Sequence, residues 1–245
     1  MWYNKLINSM LTRKLPYAVY FAAVLLAASF WQSSAQQSQP KFLWSWQTNT
    51  YVPAGFEGKV LPSPGATVTV SFELVQGGKL ANLQGNKLLN IPPQTIYWYA
   101  NNTLISNIPG KQTVSFTAPS VPGTVTVKVQ LPGYPGGSVF QSISVPVVPP
   151  EAVIESRYPG GSFVGTPVNV RGIPYFFNVK DPFALNFEWS VNGEIPQNAE
   201  DPTNLSIGLN PDAPSGATLN IKLTIQDPSK TVLTASANTT LTYVR

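Results

Sequence analysis

The chain has 245 residues, of which 15 are Lys or Arg, 11 are Asp or Glu, and none is His or Cys. The lack of cysteine excludes disulfides and thiolate chemistry, and the lack of histidine removes the usual general base and the commonest transition-metal ligand. Three basic residues precede the first apolar run, so 12 basic residues stand against 11 acidic ones in the rest of the chain. We therefore expect no cofactor, no metal site and, without a basic stripe, no nucleic-acid partner.

The beginning of the chain has the layout of an export signal. Lys5, Arg13 and Lys14 precede an uncharged run from Leu15 to Trp31, and small residues follow at 33–35 (SSA). This order is typical of a secretory signal peptide. The alternative is an uncleaved anchor, but a helix over the uncharged run spans only roughly 26 Å, less than the ~30 Å hydrocarbon core. The first 35 residues are predicted to be a signal peptide or a membrane-anchor helix. Both place the rest of the chain outside the cytoplasm, at the cell surface, in the periplasm or secreted, and the uncharged run is a possible membrane tether.

From residue 67 onward, apolar and polar residues alternate with a period of two. Every second residue is apolar in 67–74 (TVTVSFEL) and in 124–131 (TVTVKVQL), and shorter sets with the same period lie in 96–100 and 113–117. Alternation of this kind predicts half-buried antiparallel strands.

A second unit repeats this order. The period-two sets recur at 168–170, 187–191, 205–207 and 219–225. Trp189 follows Trp98 by 91 residues and Lys222 follows Lys128 by 94, and these similar offsets indicate a duplicated architecture. Between the units, 146–150 (PVVPP) favours an extended, semi-rigid spacer. The pattern predicts two domains, at 40–148 and 149–245.

In each unit a tryptophan lies in mid-strand just before a polar turn, in 96–102 (IYWYANN) and 187–193 (FEWSVNG). These segments resemble the third strand of bacterial Ig-like and PKD-like domains. The resemblance implies an all-β fold of two tandem Ig-like antiparallel β-sandwiches, with Trp98 and Trp189 in the core between the sheets. Segments 58–62 (GKVLP) and 174–177 (PYFF) are also similar to uncharacterised exported Ig-like tandems of candidate-phyla bacteria.

The chain departs from immunoglobulin domains proper in two ways. It lacks the cysteine pair that joins the two sheets of antibody domains, and valine, isoleucine and leucine occupy the corresponding inward positions. It also lacks the tyrosine expected near the start of the penultimate strand, in both 123–131 and 217–226. Domains of this kind serve as spacers, adhesins and sugar-binding modules, so the resemblance does not select one function.

Two aromatic pairs are the main candidates for a ligand or partner surface. If Trp98 points into the core, Tyr97 and Tyr99 point outward from the same strand. Their rings would form a flat apolar surface with polar tips, suited to stacking on a sugar or contacting a protein. Trp44 and Trp46 form a second same-face pair. The alternative is that a neighbouring strand or domain covers the tyrosines and that both tryptophans are core residues.

Other polar and aromatic motifs have structural interpretations. The only adjacent acidic pair, Glu200-Asp201, precedes a proline and is expected to form a solvated turn. Neither Asp212 nor Asp227 has the acidic neighbours that a calcium site needs. The aromatic run 175–177 (YFF) is expected to anchor a bulged strand or the next loop through core packing.

The leading hypothesis is a non-enzymatic exported protein of the cell envelope that acts as an adhesive or scaffolding module for protein–protein interaction. Its partner would be a protein or glycan of the envelope or of another cell surface. The alternatives are a carbohydrate-binding module and a subunit of an envelope assembly such as a pilus or secretion apparatus. The most distant alternative is a hydrolase that uses carboxylates alone, namely Glu188, Glu194, Glu200 and Asp201.

Overall fold

Antiparallel sheets make up nearly all of the regular structure. The structure, a computed structural model, describes residues 40–85, 93–135, 137–196, 201–210 and 212–245. The predicted leader, 1–35, lies outside these ranges. Within them, no helix combines the length and apolar character needed to cross a membrane. The predicted fold class, an all-β chain of Ig-like antiparallel sandwiches, is confirmed.

The first eight strands form what we call the N-terminal sandwich. In its first sheet the long central strand β2 pairs with β1, β3 and β6, and the second sheet has the order β5-β4-β7-β8. Every pairing in the two sheets is antiparallel. The strands are β1 (Lys41–Thr48), β2 (Thr67–Gln76), β3 (Lys79–Leu80), β4 (Tyr97–Ala100), β5 (Thr103–Ser106), β6 (Thr113–Thr117), β7 (Gly123–Leu131) and β8 (Val139–Val147).

The remaining strands form the C-terminal sandwich. Its sheets have the orders β13-β11-β9 and β10-β15-β14-β12, and the short strand β10 runs parallel to β15. A 3₁₀ turn, Pro182–Ala184, precedes β12. The strands are β9 (Glu151–Ser156), β10 (Ser162–Phe163), β11 (Val168–Tyr175), β12 (Asn186–Val191), β13 (Asn204–Ile207), β14 (Thr218–Gln226) and β15 (Thr234–Tyr243).

Each sandwich has a hydrophobic cluster of its own, built from the inward residues of its strands. One cluster draws its buried residues from Phe42 to Val147, and the other from Phe163 to Leu241. In β2 and β7 the apolar residues of the period-two pattern are buried and the polar residues between them are more exposed, because successive side chains of a strand point to opposite faces. The period-two pattern therefore identified the core-facing residues of these strands correctly.

The two tryptophans occupy equivalent positions in the two cores. Trp98 is fully buried and Trp189 is 4% exposed. The Trp98 indole Nε1–H donates to the Lys111 carbonyl at 2.8 Å, and that of Trp189 donates to the Pro202 carbonyl at 2.9 Å. Each acceptor lies 13 residues beyond its tryptophan, just before a strand of the opposite sheet. The same side chain thus links the two sheets in both sandwiches.

The turn after each tryptophan strand is also repeated. Asn101 and Asn192 both have positive φ, at 46° and 52°, a region that asparagine tolerates better than most residues. Each asparagine exchanges two hydrogen bonds with the penultimate strand of its sandwich, donating from its backbone N–H and accepting at its side-chain oxygen. The partners are Thr126 and Asn220. The duplicated architecture therefore extends to individual hydrogen bonds.

The connection between the sandwiches is shorter than predicted. Pro146 and Val147 belong to β8, and Val147 packs in the N-terminal core with 3% exposure. An edge strand tolerates a proline, which is why Pro146 does not end β8. Since β9 begins at Glu151, only residues 148–150 connect the sandwiches. The interpretation of 146–150 as a spacer is corrected accordingly.

Direct hydrogen bonds between the sandwiches form what we call the junction latch. The Tyr51 N–H donates to the Phe177 carbonyl and the Phe176 N–H donates to the Tyr51 carbonyl, both at 2.7 Å. Asn178 accepts from the fully buried Ser63 hydroxyl and donates to the Pro64 carbonyl, both at 2.8 Å. The latch satisfies polar groups of both sandwiches, so separating the sandwiches would leave these groups without their partners.

Aromatic rings extend this contact. Phe56 of the N-terminal sandwich lies 5.8 Å from the Tyr175 ring and 6.0 Å from the Phe176 ring, both in edge-on geometry. Phe176 adopts a positive φ of 61°, which is strained for a bulky residue, while Phe177 is fully buried in the C-terminal core. The run 175–177 therefore has two roles, of which the sequence predicted only core packing.

We expect Gly172→Ala to lower the free energy of unfolding by about 1–3 kcal/mol, because it overpacks the C-terminal core. A Cβ at Gly172 would lie 2.7 Å from Leu223 Cδ2 and 3.1 Å from Trp189 Cζ2. At Gly208 a Cβ would meet nothing within 4 Å, so Gly208→Ala is the control, expected within about 0.5 kcal/mol of the wild type. Urea unfolding followed by circular dichroism measures both. Equal midpoints for the two variants would contradict this packing.

We expect Asn178→Ala to loosen the junction latch, because it leaves the Ser63 hydroxyl and the Pro64 carbonyl without partners. A cost of about 1–3 kcal/mol corresponds to amide hydrogen exchange about 5- to 150-fold faster at Tyr51 and Phe176. The exposed Asn238 provides the control, Asn238→Ala, which should leave both amides protected. Unchanged exchange in Asn178→Ala would show that the side chain does not hold the junction.

Candidate functional site

The outer side of the sheet β5-β4-β7-β8 carries a group of apolar and aromatic side chains, which we call the tyrosine face. Tyr97 and Tyr99 are half-buried on the side of β4 opposite the fully buried Trp98. Residues directly opposite each other on paired strands share a face, so the strand register gives the other members. The tyrosine face consists of Tyr97, Tyr99, Leu104, Lys128, Gln130, Phe140 and Ser142.

These side chains form two rows across the sheet. In the first row Tyr97 lies opposite Gln130, which lies opposite Phe140. With a strand spacing of about 4.8 Å, the backbones of Tyr97 and Phe140, two strands apart, are about 10 Å apart. In the second row Leu104 and Lys128 flank Tyr99. The rows place three aromatic residues, Tyr97, Tyr99 and Phe140, on the same side of this sheet.

Exposure and charge define what the tyrosine face offers to a partner. Phe140 is 71% exposed and Leu104 is 47% exposed, so two large apolar side chains of this group are open to solvent. Lys128 is the only charged member, and its Nζ lies 4.6 Å from the centroid of the Tyr99 ring in a cation–π contact. The tyrosine face thus combines four aromatic or aliphatic side chains with three polar ones, one of which carries a positive charge.

The C-terminal sandwich has different residues at the equivalent positions. Counted from the two tryptophans, Glu188 corresponds to Tyr97 and Ser190 to Tyr99. The strand register likewise makes Ser236 the counterpart of Phe140, since it lies opposite Thr224 in the row that begins at Glu188. The same architecture therefore folds with polar residues on this side of the sheet. The architecture as such therefore does not require rings at these positions.

Trp44 and Trp46 lie on the core side of their strand. They are paired with the inward residues Phe72 and Val70 of β2, and directly paired residues share a face. The Trp44 ring lies 5.7 Å from the Phe72 ring and 6.1 Å from the Trp98 ring. The structure corrects the interpretation of this pair as an exposed ligand surface, because both side chains pack against the N-terminal core.

The side chain of Lys59 lies over the Trp46 ring. Its Nζ lies 4.2 Å from the centroid of the Trp46 ring and donates to the Trp46 carbonyl at 2.6 Å. The segment 58–62, which carried part of the family resemblance, is therefore involved in closing the rim of the N-terminal core.

The sequence predicted two of the seven members of the tyrosine face, Tyr97 and Tyr99. The other five are Leu104, Lys128, Gln130, Phe140 and Ser142. Phe140 lies out of phase with the apolar set of β8 that packs on the core, which includes Val139, Ile143 and Val145. An apolar residue out of phase with its own strand was the available signal. The sequence pattern predicted no strand at 139–147, so this phase difference had no strand to refer to.

No group of three or more Asp, Glu, His or Cys residues that could hold a metal ion lies in the part of the chain that the structure describes. Glu200, one of the carboxylates considered for hydrolysis, is outside the described residues. The Asp201 carboxylate accepts hydrogen bonds from the Thr203 hydroxyl at 2.7 Å and the Thr203 N–H at 2.8 Å, so it caps its own loop.

These bonds change the acidity of Asp201. The Thr203 hydroxyl, then the Thr203 N–H and the Asn204 amide, hold the pKa of the Asp201 carboxyl below its usual value, with a smaller contribution from the Arg171 charge. Because the pKa of Asp201 is lower in the folded chain than in the unfolded chain, the ionised carboxylate stabilises the fold. This stabilisation is fully present at a pH above the pKa in the unfolded chain, about 3.9, and is lost as the pH falls through the pKa in the folded chain.

Comparisons with known proteins give no family. No protein-family model and no curated protein sequence matches the chain. Among solved structures, it is similar to fibronectin(III)-like modules of Clostridium thermocellum CbhA, with a TM-score of 0.27 and 14% identity over 82% of this chain and 93% of that one. A second is the three N-terminal domains of the Highly Immunogenic Outer Capsid protein of bacteriophage RB49, with a TM-score of 0.38 and 16% identity over 83% of this chain and 59% of that one.

A third similar structure is Bacteroides ovatus SGBP-B in complex with a mixed-linkage heptasaccharide. Its TM-score is 0.25 and its identity 12%, over 86% of this chain and 48% of that one. Likenesses of this size carry no conclusion about what this chain binds. The closer similarity to exported tandems of candidate-phyla bacteria has no sequence match behind it and stays a prediction.

We expect Thr203→Val to raise the pKa of Asp201 toward the ordinary value of about 3.9, because it removes the hydroxyl that donates to the carboxylate. Thr203→Ser is the control, since it keeps a hydroxyl at the same position and should keep the pKa low. Titration of the side-chain carboxyl by NMR measures both. An Asp201 pKa that stays low in Thr203→Val would show that another contact sets it.

Proposed function

We propose that this protein is a non-enzymatic, exported adhesive or scaffolding protein of the cell envelope. Its two domains, 40–148 and 149–245, form a rigid stem, and the tyrosine face binds a protein partner of the envelope. The export signal is assigned to the first 35 residues on their charge and hydropathy pattern. This proposal includes a membrane tether through Leu15–Trp31 as the alternative to cleavage.

One observation carries the proposal: three ring-bearing positions of the N-terminal sandwich have polar counterparts in the C-terminal sandwich. Because the fold does not need Tyr97, Tyr99 and Phe140 on this side of the sheet, their presence calls for a role outside folding. Tyrosine and phenylalanine are enriched in protein interfaces, where they contribute large contact area at low entropic cost. An exposed apolar group of this kind is typical of an interaction surface.

The edge of the same sheet favours a protein as the partner. β8 pairs with β7 along its whole length, and no strand within the described ranges pairs with its other side. The nine residues of β8 carry no charge, although charged side chains are a common device for blocking strand addition at an edge. A partner strand added to β8 would lie next to Phe140, so main-chain hydrogen bonds and an apolar anchor act together.

The composition supports a role without catalysis. The chain has neither histidine nor cysteine, so acid–base or nucleophilic chemistry would rest on carboxylates, lysines and hydroxyls. The Asp201 carboxylate is engaged in its own loop. Surface complementarity therefore explains the side chains that are present better than bond chemistry does.

Retention of the full chain on envelope fractions tests the proposal. We expect Tyr97→Glu combined with Tyr99→Ser and Phe140→Ser to lower retention at least about 10-fold, because a partner loses its apolar anchors. These substitutions copy the polar residues of the C-terminal sandwich, so the fold should tolerate them. Glu188→Gln combined with Lys222→Gln is the matched control on the equivalent surface, and it should retain wild-type binding.

Two outcomes contradict the proposal. The first is equal retention of the triple variant and the wild type, which would remove the tyrosine face from the interaction. The second is turnover of an envelope glycan or peptide by the purified chain, which would make the protein an enzyme. Crosslinking before purification then identifies the bound molecule and separates a free adhesin from a subunit of a larger assembly.

A further inference from the structure

A cleft lies at the junction of the two sandwiches, on the side of the C-terminal sandwich away from its core. Its floor is the outer face of β9 and β11, and its rims are the loop 53–57 of the N-terminal sandwich and the 3₁₀ turn Pro182–Ala184. Its volume is about 540 Å³, within the range of about 300–1,000 Å³ of small-molecule sites, which often lie at domain interfaces.

One part of the cleft is aromatic. Phe183 of the 3₁₀ turn is 63% exposed, and its N–H is held by the Asp181 carboxylate at 3.0 Å, so its backbone has a defined place. Phe56 and Tyr175 line the same cleft, with their ring centroids 5.8 Å apart. Phe56 and Tyr175 take part in the contact between the sandwiches, whereas Phe183 presents its ring to solvent.

The other part is polar and has a balanced charge. Glu57, Glu155 and Arg171 line the cleft, and Arg171 lies directly opposite Glu155 on the paired strands. Beyond this pair the surface continues as a second hollow of about 580 Å³, which includes Asn169 and Arg157. Over both hollows the charged lining consists of two carboxylates and two guanidinium groups.

We propose that this junction cleft binds a neutral oligosaccharide. The balanced charge selects against a strongly ionic ligand, while carboxylates accept hydrogen bonds from sugar hydroxyls and guanidinium and amide groups donate to them. The apolar C–H face of a pyranose packs on exposed aromatic rings such as Phe183. The two hollows share Glu155 and Arg171, so they form one extended site that suits a chain of sugars.

The junction latch adds to this assignment. One side of the cleft belongs to the N-terminal sandwich and the other side to the C-terminal sandwich. The latch joins the two sandwiches by backbone and side-chain hydrogen bonds. The site is therefore largely formed before a ligand arrives, which lowers the ordering cost of binding. This site is separate from the tyrosine face, and the inference does not rest on the proposed function.

Isothermal titration calorimetry of the full chain tests the inference, with cellohexaose, laminarihexaose and xylohexaose as neutral probes and hexagalacturonate as a charged comparator. We expect at least one neutral probe to bind with a Kd at or below about 1 mM, and more tightly than the comparator. Phe183→Ser and Arg171→Gln should each weaken that binding at least about 10-fold.

Phe140→Ser provides the matched control, because it removes a phenylalanine of similar exposure, 71% against 63% for Phe183, from the tyrosine face. It should leave sugar binding unchanged. The inference is overturned if no neutral probe binds, if hexagalacturonate binds more tightly, or if Phe183→Ser and Arg171→Gln bind like the wild type. Loss of sugar binding in Phe140→Ser would overturn it too, because it would assign the sugar to the tyrosine face.

Discussion

Both sandwiches depend on one hydrogen bond, from the indole N–H of a buried tryptophan to a backbone carbonyl of the opposite sheet. Antibody domains join their two sheets at this level by a disulfide, which a chain without cysteine cannot form. Here Trp98 and Trp189 fill the space between the sheets, and the N–H of each finds its partner 13 residues further on. Burial of the ring and pairing of its N–H both favour the orientation in which the tryptophan points inward.

The outward positions follow directly from that constraint. With Trp98 inward, Tyr97 and Tyr99 face outward, and the register then adds Phe140 and Lys128 beside them. In the C-terminal sandwich the same logic places Glu188 and Ser190 on the corresponding side. The two sandwiches therefore share the tryptophan and its hydrogen-bond acceptor but differ in the outward side chains of the same strand.

The period-two alternation and the two tryptophans were sufficient to predict the fold class and the outward direction of the tyrosines. They were not sufficient to orient β1. Trp44 and Trp46 lie on the same face of this strand, but the sequence does not tell whether that face points to the core or to solvent. The pairing of these residues with Phe72 and Val70 shows that it points to the core. Contacts between sandwiches had no local signal either. Asn178 lies more than a hundred positions from Ser63, so neither residue predicts the other.

The junction latch affects how one ligand could contact both sandwiches at the same time. When two binding sites are joined by a flexible spacer, the distance between them varies. A ligand that binds both sites then gains less affinity, because the second site is at the right distance for only part of the time. The three-residue connection and the contacts of Tyr51, Phe56 and Asn178 oppose such a spread. If the tyrosine face and the junction cleft both bind, a ligand that reaches both would need a spacing close to theirs.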